Sequence, residues 1–163
     1  MREIDRVLEQ LQRAYDGDAW FGSSVRAALD GVDARIATTG PLESTHTIAE
    51  IVLHVTAWTR EVTRRLRTGV ARDPDEGDWP YQMIDTEADW AAVLENLETA
   101  QGDLLSAVAA LDDLQLDERI GDVRDRELGS GVSLYVTLQG LAQHHAYHAG
   151  QIAMLKRSAS TPA

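Results

Sequence analysis

Two stretches of this chain hold four of its five histidines: Ile51-Val52-Leu53-His54-Val55-Thr56-Ala57-Trp58 and Gln143-His144-His145-Ala146-Tyr147-His148-Ala149-Gly150-Gln151-Ile152. His144 and His148 stand four residues apart, which on a helix is one turn along the same face. Two imidazoles placed this way can share one metal ion. A third from a neighbouring helix, such as His54, completes a triad that leaves coordination positions open, the mark of a catalytic rather than a structural metal site. The chain has no cysteine, so only His, Asp and Glu can hold a metal, and disulfides are excluded. The plainer reading of one histidine beside an apolar stripe is a hydrogen-bonded core residue. Several converging imidazoles with nothing bound to them leave polar nitrogens unsatisfied, which is costly.

The elements that must position these rings read as helices. Apolar residues at helical spacing (Ile4, Val7, Leu8, Leu11, Tyr15) predict a first helix over residues 3–32, with Asp16-Gly17-Asp18 as a kink or break before Trp20, Val25, Ala28 and Leu29 resume the pattern. A second helix starts at Thr47, where Thr47 and Glu50 fit a capping box. It carries Ile48, Ile51, Val55, Trp58, Val62 and Leu66 on one face and ends at Gly69. Residues 70–85, with Pro74, Gly77 and Pro80, read as a connection. A third helix is expected over residues 86–111, an irregular charged stretch over 112–131, and a fourth helix over 132–157. No strand-like alternation competes with these patterns. The expected fold class is an all-α four-helix bundle, a single domain over residues 1–163, and such bundles build metal sites from facing helices.

On a wheel of about 100° per residue centred on Leu141, His145 and His148 fall within about 40° of the apolar centre and His144 about 60° to the other side. Periodicity alone therefore leaves both His144/His148 and His145/His148 open as the ligand pair. His54 lies about 80° from the centre of its own stripe, an edge position suited to a pocket mouth. Trp58 and Tyr147 are candidates to line that mouth, with core packing the competing reading for Trp58. Gln151, three residues after His148, could touch a ligand or form an interhelical hydrogen bond. Gly150 is expected to allow close helix approach, and Glu50 to cap rather than act as a base. Glu61 lies on the face of His54 but two turns away. Arg60, Arg64, Arg65 and Arg67 read as a solvated helix end complementing the helix dipole. No general base with suitable spacing is visible.

The formal net charge of −12 argues against nucleic acid as a partner, since an acidic surface repels phosphate. No apolar run reaches the roughly 20 residues that span a bilayer, and Met1-Arg2-Glu3-Ile4-Asp5 has no signal-like apolar region. The expectation is a cytoplasmic protein with no membrane partner. A bundle of this size is also expected to pair an apolar stripe with a symmetry mate as a homodimer.

His144-x-x-Tyr147-His148-Ala149-Gly150-Gln151-Ile152, followed by Leu155-Lys156, resembles the last-helix motif of the DinB/YfiT-like superfamily. The segment from Ile48 to Trp58 is similar to that family's second-helix motif, and Ala19-Trp20-Phe21-Gly22-Ser23-Ser24-Val25 to its first-helix segment. The motifs' order and separations cover nearly the whole chain. The resemblance implies a four-helix bundle, often dimeric, with one divalent metal held by His54, His144 and His148. It thereby selects the pair that periodicity leaves open. Phe21 stands where relatives often carry His, so a further polar contact is absent here. Imidazole ligands suit zinc or nickel first, with iron or copper also compatible. The implied function is a metal-dependent enzyme acting on a small molecule: a transferase or isomerase using a low-molecular-weight thiol, or a hydrolase. The alternative is a non-catalytic metal or small-ligand binding protein in stress response or detoxification.

Overall fold

The computed structural model describes residues 1–40 and 45–159. Four long helices dominate: α1 (Glu3–Asp16), α4 (Ile48–Thr68), α5 (Glu87–Ala109) and α6 (Leu134–Ala159). Two short helices, α2 (Val25–Leu29) and α3 (Ala34–Thr38), lie between the first and second of these. A 3-10 turn (Gln115–Asp117) and an antiparallel hairpin, β1 (Arg119–Asp125) with β2 (Ser130–Ser133), separate the last two. The fold is the expected all-α bundle, and no helix among the described residues is long and apolar enough to cross a membrane.

The second and third long helices start and stop as their sequences dictate. Thr47 caps α4 by accepting from Glu50 N while the Glu50 carboxylate accepts from Thr47 N at 2.7 Å, and Gly69 closes the helix in the left-handed conformation (φ 66°). Thr86 and Asp89 form the same reciprocal cap at the start of α5.

The first expected helix stops early. The chain turns extended at Gly17, so the helical phase does not carry across the break, and Trp20, expected on the apolar stripe, is fully exposed. The hairpin corrects the expectation of an irregular stretch without strands. Of the residues in β1 only Ile120 is buried, so the alternation that marks a half-buried strand is missing from its sequence. Val132 and Ser133, expected to open the last helix, belong to β2. Gly131 (φ 72°) makes the hairpin possible, since a Cβ there would lie 2.6 Å from Arg124 Cα.

Two apolar clusters fill the bundle. One gathers Val25, Ile48, Val52, Val55, Leu97, Ala149 and Ile152. The other gathers Ile4, Leu11, Val62, Leu104, Leu138 and Leu141. Along each of α4, α5 and α6 a buried polar residue sits between the two: Thr59, Gln101 and His145. Thr59 donates to Val55 O at 2.7 Å and lies 3.1 Å from His145 Nε2. The hydroxyl has one hydrogen, already given to the carbonyl, so His145 Nε2 is the donor in the second contact.

The arginine cluster is not simply a solvated helix end. Arg65 is buried beside the buried Glu61, with its Nε 2.9 Å from Glu61 Oε1. Glu61 also accepts from Arg64 and from the backbone N–H of Arg72, which ties residues 70–72 back onto α4. Burial works against the Glu61 carboxylate, but these hydrogen bonds outweigh it and hold its pKa below the usual range. Removing one partner of a buried pair strands the other charge. Glu61→Gln is therefore expected to destabilise the protein by about 3–5 kcal/mol in urea unfolding; a loss below about 1 kcal/mol, the range of a surface pair, would contradict this account.

Candidate metal centre

The crossing of α4 with α6 brings His54, His144 and His148 to one point. His144 Nε2 lies 2.9 Å from His54 Nε2 and 3.1 Å from His148 Nε2. The outer nitrogens of two rings are fixed. His54 Nδ1 donates to the Asp78 carbonyl at 2.6 Å, and His148 Nδ1 donates to Gln151 Oε1 at 2.6 Å. With the proton held on Nδ1, each neutral ring turns the Nε2 lone pair inward. A single hydrogen on His144 Nε2 can serve only one of its two neighbours, so at least one pair of lone pairs is left facing. His144 Nδ1 is itself buried without a hydrogen-bond partner among the described residues.

A cation at the convergence resolves this conflict, and the donor set fits one. Two nitrogens bound at about 2.0–2.1 Å to a common ion are roughly 2.9–3.4 Å apart for angles between perpendicular and tetrahedral. Protonation of the three rings is resisted, which keeps them in the neutral form that a metal requires. Burial, reinforced by the neighbouring His148, His54 and His145, pushes His144 down to about 2. Burial also pushes His148 down to about 4, against the Gln151 hydrogen bond that favours its charged form. His54 is lowered chiefly by burial, offset in part by the Asp78 carbonyl.

His145, the alternative that periodicity left open, points elsewhere. It is fully buried, donates to Thr59, and packs against Tyr15 with ring centroids 6.2 Å apart. Both residues lie on the inward side of α6, but His144 faces the α4 edge where His54 waits, and His145 faces the core.

The triad lines a cavity of about 640 Å³. Trp58 lines it too, half-buried rather than in the core, with its Nε1 donating to Asp78 Oδ1 at 2.7 Å. Tyr147, 64% exposed, stands at the rim, edge-on to His148. Gln151, expected at the pocket or in an interhelical hydrogen bond, does not line this cavity and bonds within its own helix, to His148 one turn earlier. Gly150 does not allow a close approach: a Cβ there would meet open space. Phe21 is half exposed and does not line the cavity.

Sequence reasoning missed Asp78 and Trp79, which lie in what read as a plain connection. Trp79 stacks on His54 at 4.0 Å, and His46 stacks on the other face of Trp79 at 3.5 Å. A tryptophan between an aspartate and a proline, after the charged run from Arg72 to Glu76, was the available signal. The hairpin was missed as well, and it supplies part of the cavity lining.

His145 generates a stability prediction for the metal-free protein. Burial depresses its pKa to about 4, below the unfolded value near 6.5. Above the unfolded value neither state binds the proton. As pH falls from there towards 4 the unfolded state takes it up and the folded state does not, so stability is lost. The expected slope from this group is up to about 1.4 kcal/mol per pH unit. It should disappear in His145→Gln when urea midpoints are compared between pH 7 and 5; equal slopes in the two proteins would contradict the assignment.

No curated protein and no solved structure matches the chain. A family model described as the DinB superfamily matches residues 9–152, a span that holds the whole triad and reaches into all four long helices, and the chain belongs to that superfamily.

Proposed function

We propose that the protein is a metal-dependent enzyme acting on a small molecule, in which His54, His144 and His148 hold one divalent ion through Nε2. The observation that carries this reading is the convergence of three Nε2 atoms at 2.9 and 3.1 Å with two of the rings locked from behind by Asp78 and Gln151. Such an ion would lower the pKa of a thiol or water bound to it and so supply a nucleophile near neutral pH.

The chain's own residues do the rest. The Asp78 carbonyl and Gln151 Oε1 keep the protons of His54 and His148 on Nδ1, which leaves Nε2 free to ligate. Trp79 covers one face of His54 and limits water access from that side. The Asp78 carboxylate is engaged by Trp58 and lies 3.3 Å from His54 Nδ1, so it positions rather than abstracts a proton. With no dedicated base beside the triad among the described residues, chemistry in which the nucleophile is activated by the ion fits best. We favour a low-molecular-weight thiol as that nucleophile and a transferase or isomerase reaction, with a hydrolase as the competing version.

We also propose a homodimer. A bundle of this size commonly pairs a remaining apolar stripe with a symmetry mate, which supports it.

Metal content after dialysis tests the ligand set. His54→Ala, His144→Ala and His148→Ala are expected to lose the ion and His145→Ala to keep it; the reverse for His144 and His145 would overturn the assignment. Gln151→Leu should weaken metal affinity by about 10- to 100-fold while leaving the fold intact. The reaction is tested by supplying metal-loaded protein with thiols and electrophilic acceptors, and separately with activated esters and amides, against a chelated sample and His148→Ala. Metal-dependent turnover in the thiol assay alone supports the transferase version. Turnover of esters alone supports the hydrolase, and turnover in neither leaves a metal or ligand binding protein.

A further inference from the structure

The hairpin brings two arginines, Arg124 and Arg126, to the lining of the cavity that the histidine triad also lines. A third, Arg65, reaches the lining from α4, but its Nε and Nη2 are taken by Glu61 and the Arg72 carbonyl. Arg124 is held in place by backbone: its Nη1 donates to the carbonyl of Asp125, next to it on β1, at 2.7 Å and to that of Ser130 on β2 at 3.0 Å. Gly131 makes that geometry possible by letting the β2 backbone press against Arg124. Arg126 makes no hydrogen bond or ion pair with any described residue. The acidic groups of the lining are Asp78, engaged by Trp58, and Glu127. With Arg65 neutralised by Glu61, Arg124 and Arg126 are the guanidiniums of this wall that no carboxylate of the described residues engages, in a chain whose net charge is −12. The remaining lining is largely apolar, with Val62, Leu128, Val132, Val136 and Leu141.

We propose that Arg124 and Arg126 form an anion-binding end of this cavity, so that the small molecule taken there has a hydrocarbon body and a carboxylate distinct from its reacting atom. A guanidinium offers paired N–H donors matched to a carboxylate, and the strand-held Arg124 is already ordered to do so. The inference rests on the cavity being the substrate site, but it does not need the ion.

The test is a matched pair of probes, 4-phenylbutyrate and 4-phenylbutanol, titrated into the full chain, both metal-free and zinc-loaded. Quenching of tryptophan emission is the readout, because Trp58 and Trp79 both line the cavity. The acid is expected to bind the metal-free protein about tenfold more tightly than the alcohol. Arg126→Gln should erase most of that preference without moving the urea midpoint, since the side chain is exposed and unpaired. Glu127→Gln should enlarge it, and raising the salt concentration should shrink it. Equal affinity for acid and alcohol, no acid binding at millimolar concentration, or a preference that survives in the Arg124→Gln/Arg126→Gln protein would each overturn the proposal. So would a preference seen only with zinc, which would place the carboxylate on the ion. Loss of the proposed metal function, by contrast, would show as unchanged zinc content in the histidine variants and would leave the probe preference intact.

Discussion

Three neutral imidazoles, with the Nε2 atoms of His54 and His148 each about a hydrogen-bond length from that of His144, are the constraint on which the rest of the structure turns. Each ring is buried enough to resist protonation, and two have their protons held on the outer nitrogen. The inward lone pairs repel one another, so the arrangement is unfavourable unless something positive lies between them. The α4–α6 crossing must be rigid enough to bear this. The apolar clusters on either side of the polar layer supply that rigidity: Val52 and Ile152 are fully buried in one, Leu138 in the other.

The loop between α4 and α5 is part of the same device. Its start is pinned by the Glu61 network through Arg65 and Arg72, and its middle delivers Asp78 to His54 and Trp58. Trp79 then stacks between His46 and His54. One segment therefore sets the tautomer of a triad ring, covers its face and forms the edge of the cavity. The hairpin forms another part of the wall and carries the arginines. The long helices supply the three rings, while these two connections supply much of the surroundings that would decide what the rings act on.

Much of this was legible in the sequence, and the reasons differ by element. The capping box at Thr47 and the glycine at 69 are local chemistry, so both ends of α4 could be placed from the sequence alone. The choice between His144 and His145 was not open to periodicity, because both fall near the inward face and the difference lies in which neighbour each meets. The resemblance to a family resolved it in favour of the ring that the structure places beside His54. The hairpin was not legible, since a mostly exposed, charged strand with one buried residue has no alternation to detect. The burial of Arg65 was missed for a related reason: its partner Glu61 sits one helical turn earlier, and only tertiary packing decides whether such a pair faces water or the interior.

The central claim, that the Nε2 atoms of His54, His144 and His148 converge on one divalent ion, is tested most directly by long-range 15N–1H correlation spectra of the histidine rings during a zinc titration. The account predicts that His54 and His148 carry their proton on Nδ1 before zinc is added. At one equivalent, the Nε2 resonances of His54, His144 and His148 should shift together while both nitrogens of His145 stay where they were. A response at His145, or no coordinated shift of the three Nε2 signals at stoichiometric zinc, would contradict it.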